Sequence, residues 1–439
     1  MSAIVSNCKT EEIDPVRIFV GAVANEMNRD RYVFHKYPVS RYTNLVIPRL
    51  EKLTYVAKKF PRSLACVAYL SSALWSLLLY PALLLLQVAL TLRHVRLRKT
   101  RITGDVFFAT SKTSFIFARN CGFEGAHICV SKKLERSCPP QNSIGSIADY
   151  IVLSDIAGAF LYAARSLLLL RQSSHIPGTT FQVYAAFGWF MTWSVLHRSA
   201  GGLTSVWISN DSDRWAVLVD QLPTSAKKII VQHGLLCDPS NRAGFRNPAS
   251  HPTRLKNIDK IVLFDKESER NYRSLVIAKD CNPSFICSDG WLIQGTPDLD
   301  DRAAVRVLVI GQRVHLQQEC ELANYLAETV VDSRIFVRPH PGSSLAQYKK
   351  RLDCRVVLID DLYWHPYVEL CICFDFSSLG DLYEKQGAKV IYLTDIKNNR
   401  QSKEDIRNQI MFISRPLNGN IQVGNMTALE TSNNMDVEL

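Results

Sequence analysis

The stretch "AVRVLVIGQRVHLQQECELANYLAETVVDSRIFVRPHP", residues 304–341, decides the fold. It opens on an apolar, β-branched run that closes at Gly311. Helical spacing follows over 320–332, and a second β-branched run begins at Arg334 and turns at two prolines. Strands that are apolar without alternation are covered on both faces, and a helix between two of them is the crossover that a parallel pair needs. One βαβ unit is therefore predicted here. "RVVLID" (355–360), "LCICFDFSS" (370–378), the helical "LGDLYEKQG" (379–387) and "AKVIYL" (388–393) continue the alternation, so a domain of this kind is expected over 296–418.

The same rhythm runs through the preceding half. "DVFFAT" (105–110), "AHICVS" (126–131), "DYIVLS" (149–154), "SVWISN" (205–210), "KIIVQHG" (228–234) and "KIVLFD" (260–265) read as strands, and "AGAFLYAARSLLLLRQ" (157–172) as a helix. They predict an N-terminal Rossmann-like domain over 102–295. The acidic, turn-forming "QGTPDLDD" (294–301) marks the boundary, expected between Trp291 and Ala303. Residues 1–62 show little periodicity, and 419–439 read as a polar tail. The expected class is α/β, with two facing Rossmann-like domains and an apolar helical segment over 63–101.

That segment has no charged residue from Ser63 to Leu92, thirty positions that exceed the roughly 20 needed to span a hydrocarbon core. Its flanks are basic on both sides, with Lys58, Lys59 and Arg62 before and Arg93, Arg96, Arg98, Lys99 and Arg101 after. A single span is basic mainly on its cytoplasmic side. Symmetric flanks and the central Pro81, which breaks helices, predict a helix pair that dips into one leaflet rather than a span. A pair of helices packed into the core is the alternative. The N-terminus carries no apolar run of the secretory kind, so no cleavable signal is expected.

The 439 residues include 52 Lys+Arg against 41 Asp+Glu, a net charge of +11. That excess suits nucleic acid, an anionic membrane or a phosphorylated substrate, and does not choose among them. The 12 cysteines form no CxxC pair, which points to reduced core thiols rather than a disulfide frame or a zinc site. The P-loop pattern GxxxxGK[ST] is missing, which argues against a kinase or ATPase of that type.

In open parallel sheets ligands bind beyond the carboxyl ends of the strands. Three stretches end there with reactive groups. Arg338 and His340 lie in the stiff Arg-Pro-His-Pro turn, where an arginine fork can meet phosphate and a histidine can give a proton to a leaving oxygen. Ser377 and Ser378 stand where a strand passes into a helix start, a place suited to anions, and Glu384 on that helix could hold ribose hydroxyls. Gly311 joins these nucleotide-binding candidates. His233, followed by Gly234, closes its strand in the other half and could take a proton from an acceptor hydroxyl. Asp289 is a further loop carboxylate. No metal pair is expected, Asp360 and Asp361 reading as a solvated strand end.

"QHG", "RPHPG" and "FSSLGDLYEKQGAKVIYL" resemble bacterial glycosyltransferases of the GT-B type that build surface polysaccharides, over roughly residues 200–395. The nearest in motif are the polysialyltransferases, the Kdo-adding capsule enzymes and the CDP-glycerol glycerophosphotransferases. The resemblance implies that His340 contacts the donor phosphate, that Ser377 and Ser378 contact the donor, and that His233 is the base. The polysialyltransferases use an acidic-acidic-Gly motif for the base; the match here, Ser288-Asp289-Gly290, lacks the first acid, which makes Asp289 the alternative. It further implies sugar transfer from a nucleotide sugar, such as a CMP-sugar, to a capsular or lipid-linked glycan. No metal and no cofactor beyond that co-substrate are expected, nucleic acid is not an expected partner, and the site of action is the cytoplasmic face of a bacterial inner membrane, as a peripheral or monotopic protein. Two alternatives remain: glycerol phosphate transfer from CDP-glycerol, and a non-catalytic membrane-tethered binding protein.

Overall fold

The computed structural model describes residues 14–36, 74–95, 101–136, 144–173, 183–210, 213–232, 253–263, 266–287, 305–311, 315–340, 343–361, 364–374, 377–393, 403–408 and 410. Two open sheets, every strand parallel to its neighbours, form its two halves. The expected α/β class with two Rossmann-like units is what the chain adopts.

The N-terminal sheet contains β1 (Gly104–Ala109), β2 (Ala126–Cys129), β3 (Ile144–Ser146), β4 (Leu203–Ile208), β5 (Lys227–Val231), β6 (Lys260–Leu263) and β7 (Ser284–Cys287). Their spatial order is β3-β2-β1-β4-β5-β6-β7. The β1 side chains show why the run is unbroken in apolarity. Val106 and Phe108 enter the main core, while Phe107 joins Ile229, Val231 and Val262 in a second one. Both faces are buried, so neither can carry polar groups.

The main core is roofed by helices α1 (Pro15–Lys36), α2 (Tyr80–Leu92), α5 (Leu153–Ser173) and α6 (Ala186–Ser199). Between them come α3 (Thr113–Asn120) and the single turn α4 (Lys132–Glu135), and α7 (Arg214–Gln221) and α8 (Lys266–Leu275) follow. In α1, Val16, Phe19, Ala22 and Val23 share the buried face, and Phe19 packs against Trp189 and Phe190 of α6 at ring distances of 5.4 Å. Polar ties bind α1 to distant chain. Arg214 makes a bidentate pair with Glu26, its Nε donating to Oε1 at 2.8 Å. Asn25 exchanges two hydrogen bonds with the backbone of Thr253, at 2.8 and 2.9 Å. A Cβ on Gly21 would stand 2.7 Å from the Thr253 hydroxyl, so the helix approaches closely there.

The C-terminal sheet holds β8 (Val305–Ile310), β9 (Ser333–Arg338), β10 (Val357–Leu358), β11 (Leu370–Phe374) and β12 (Lys389–Leu393), in the order β10-β9-β8-β11-β12. Helices α9 (Leu316–Thr329) and α10 (Leu345–Arg351) bring Leu322, Leu326 and Tyr348 to one face; α11 (Ser378–Lys385) brings Tyr383 to the other. The βαβ stretch 304–341 is realised as β8, α9 and β9. The expected boundary lies in residues outside the described set, between Cys287 and Val305.

Two expectations change, and some elements were not expected. "DYIVLS" is not a strand: a 3-10 turn occupies Ile147–Asp149, and α5 starts at Leu153. Ser146 and Asp149 form a reciprocal capping box, and the Asp155 carboxylate accepts from the Val152 N–H at 3.0 Å, so the two acids end helices instead of flanking a strand. Pro81 does not split the apolar segment. A π-helical turn, Trp75–Leu79, runs straight into α2, and Pro81 follows at the join, where the widened turn accommodates the proline and the helical bond it cannot donate. The α1 helix and strands β3 and β7 have no counterpart in the sequence reading.

Candidate functional site

In both sheets the strand order reverses direction beside the first strand, between β1 and β4 and between β8 and β11. Such switch points open crevices at the carboxyl edge. The C-terminal crevice gathers the candidates on adjoining strands: Gly311 after β8, Arg338 and His340 at the end of β9, and Ser377 after β11.

Gly311 is required sterically. Its N–H donates to the Arg338 carbonyl at 2.8 Å. An added Cβ would meet Glu319 Oε2 and the Tyr348 hydroxyl at 2.9 Å and that same carbonyl at 3.0 Å. Glu319 is wholly buried and accepts from the Tyr348 hydroxyl; burial, followed by the Glu319 charge, pushes the phenol well above its ordinary range. His315, buried at the start of α9, pairs its Nδ1 with Gln318 Oε1 at 2.7 Å.

Arg338 is buried, and its Nη1 donates to the Trp364 carbonyl at 2.6 Å. Burial weakens its hold on the proton, while Tyr383 and Asp361 oppose that loss. His365 lies in the segment that Arg338 clamps. Burial first, and then the Arg338 charge, lower its pKa to about 4, and no hydrogen bond reaches its Nδ1 among the described residues. The Tyr383 hydroxyl of α11 donates to the next carbonyl, Pro366, at 2.9 Å. Two elements therefore hold residues 364–366 against the crevice. His340, two residues beyond Arg338, is half-buried, and its carbonyl accepts from Ser343 N–H at 2.8 Å.

Ser377 is buried and caps α11, its Oγ accepting from Gly380 N–H at 3.5 Å. Gly380 lets the helix settle on β11, since a Cβ there would lie 2.5 Å from the Cys373 sulfur. Ser378 opens α11, but its side chain is outside the described set. Glu384 is exposed near the other end of the same helix, seven residues from Ser377 and therefore about 10 Å along the axis. His233 and Asp289 both lie outside the described residues; β5 ends at Val231, and Gln232 just after it is fully buried and donates to Ser268 Oγ at 3.0 Å.

The N-terminal crevice is lined differently. Thr110 Oγ1 donates to Asn210 Oδ1 at 2.7 Å, and Ser209 Oγ donates to Ser114 Oγ at 3.0 Å. Ser114 also accepts from the N–H groups of Thr110 and Ser111, both at 3.3 Å. Asn210 reaches Asp213, which caps α7 through Trp215 and Ala216. This hydroxyl and amide cluster, and also His365, escaped the sequence reading. Their signals are "TSKTS" (110–114) and "SNDSD" (209–213) directly after strands, and a further His-Pro pair at 365–366. Among the described residues no group of three or more His, Cys, Asp or Glu is placed to hold a metal ion.

No protein-family model and no curated protein matches the chain. Among solved structures, a glycosyltransferase from Rickettsia africae ESF-5 is similar at 10% identity over 72% of this chain and 88% of that one, with a TM-score of 0.33. The trehalose-6-phosphate synthase OtsA is similar at 8% identity over 67% of this chain and 84% of that one, with the same TM-score of 0.33. The GtfA/B complex is similar at 12% identity and a TM-score of 0.31; the match covers 52% of this chain and 53% of that one, about half its length. Likenesses this remote carry no functional weight.

Proposed function

We propose that the protein is a GT-B-type glycosyltransferase that moves a sugar from a nucleotide-sugar donor to a growing surface or capsular glycan. The observation that supports this most is the C-terminal crevice, where Arg338 and His340 at the end of β9 and Ser377 after β11 flank Gly311 at the end of the intervening β8, beside a switch point. The acceptor oxygen attacks the anomeric carbon, the bond to the donor phosphate breaks, and the nucleotide leaves with the electron pair. His340 gives a hydrogen bond or a proton to that phosphate. Arg338, buried behind it, supplies positive charge and holds the 364–366 segment in place. Ser377, with Ser378, belongs to the donor side, as does Glu384 toward ribose. The acceptor's proton goes to His233 or, failing that, Asp289. The acceptor meets the hydroxyl and amide groups of the N-terminal crevice, whose Thr110, Ser111 and Asn210 suit a sugar's own hydroxyls. The reaction needs no metal in this reading, because the arginine, the histidine and a helix start meet the leaving charge.

Thermal melts with CMP, CDP, UDP and GDP test the proposal. One nucleotide should raise the melting point of the wild type, because a ligand at a hundredfold excess over its Kd adds about 2.7 kcal/mol to native stability. His340→Ala should abolish that rise. No shift with any nucleotide would overturn the proposal; stabilisation by CDP together with glycerol phosphate transfer would move the chemistry to glycerophosphotransfer.

A further inference from the structure

Helix α2 and the π-helical turn before it form one continuous helix, Trp75–Leu92, with a mean hydropathy of 1.8, yet only 17% of it is buried. Its inner stripe is anchored: Tyr80 and Leu84 are sealed in the main core, the Tyr80 hydroxyl donates to the Ala163 carbonyl of α5, and Gln87 donates to the Tyr184 carbonyl, both at 3.3 Å. Ser76 is buried as well, and Trp75 and Val88 pack on the core; the opposite face is open. Leu77 and Leu78 are each 63% exposed, Leu85 61%, and Leu86 and Leu90 also lie open. The supporting helix α5 adds Leu153, Leu161 and Leu168 on an outer stripe of its own.

Soluble monomers rarely leave so many large apolar side chains in the open. We infer that the outward faces of α2 and α5 are a docking surface for an anionic lipid leaflet, with α2 lying in the plane of the interface. The in-plane setting follows from the anchored stripe: a helix with Tyr80 and Leu84 in a protein core cannot be ringed by lipid as a span would be. The choice of lipid follows from charge. Between Glu51 and Asp105 the sequence has no acidic residue, and the only acid on α5, Asp155, is buried against Arg198 at 3.0 Å. Exposed cations accompany the leucines, Arg93 and Arg101 beyond the end of α2 and Arg171 at the end of α5. Apolar side chains beside cations, without exposed acids on either helix, match an acyl layer under anionic headgroups. A second copy of the chain would bring two like-charged surfaces together.

Flotation of the full-length protein with vesicles of phosphatidylcholine, with and without phosphatidylglycerol, tests this independently of any sugar transfer. The wild type should float with the anionic vesicles and weaken with salt. The triple variant Leu85→Gln, Leu86→Gln, Leu90→Gln should lose more than about tenfold in partitioning. The double variant Leu161→Gln, Leu168→Gln should lose less but measurably. All of these positions are exposed, so melting points should stay at the wild-type value. Wild-type protein that remains below the vesicles of both kinds would overturn the inference. So would variants that bind vesicles normally but change from dimer to monomer, which would assign the surface to a second copy. An unaffected α5 double variant would overturn the part given to α5.

Discussion

The two sheets share a strand order around their switch points, and they differ in what they bring to the carboxyl edge. The C-terminal sheet delivers groups that are charged or can become so, Arg338, His340 and His365, next to the buried Glu319–Tyr348 pair. The N-terminal sheet delivers neutral hydroxyls and amides, bonded mainly to one another. Backbone topology places a crevice, and the loop residues alone decide whether it suits a phosphate or a polyol. In the proposed reaction these are the donor and acceptor sides.

The largest expected effect separates those sides. His340→Ala should lower transfer by about 10²–10³ and also weaken nucleotide binding, since a positioned donor to a developing charge is lost. Asn210→Ala should instead raise the acceptor KM and leave nucleotide affinity as it was. Steady-state kinetics beside nucleotide melts read both. Equal loss of nucleotide affinity in the two variants would erase the distinction.

A second test uses pH. The folded pKa of His365, about 4, lies below the ordinary value of 6.5, so between those limits the unfolded chain binds more protons than the native one. Stability should therefore be complete above about pH 6.5 and fall as pH drops toward 4, by up to about 3 kcal/mol. Urea melts of His365→Gln should show a shallower acid slope than the wild type. An unchanged slope would mean that another group carries it.

Smaller effects compare glycines. Gly380→Ala should cost about 1–3 kcal/mol, because its Cβ would press on the Cys373 sulfur at the seat of α11. Gly188→Ala in α6 meets nothing within 4 Å and should stabilise by about 0.5–1 kcal/mol through helix propensity. Thermal melts of the pair measure whether the crowding at α11 is as tight as its geometry.

Buried parallel strands were the most legible elements, because β1, β8 and β11 carry no polar alternation to confuse them. Strand β7 was missed: only four residues long, at a sheet edge and mostly exposed, it needs little apolarity. The α1 helix was missed because its polar second half dilutes the Val16, Phe19, Val23 spacing. "DYIVLS" misled because Asp149 and Asp155 act through caps, which hydrophobic periodicity does not register. Arg338, His340 and Ser377, singled out by their stiff or capping neighbours, fall at the carboxyl ends of β9 and β11 with β8 between them. The N-terminal crevice was not readable, since serines and threonines look alike in any loop until pairing brings β1 beside β4.

The ties of α1 also set a timetable. The helix leaves the ribosome well before its partners: Arg214 and Thr253 follow 188 and 228 residues after Glu26 and Asn25. At about 5–20 residues per second, α1 waits on the order of ten to forty seconds for them. Through that interval the α6 partners of Phe19 have not yet been made, so the nascent chain depends on something else to shelter this helix.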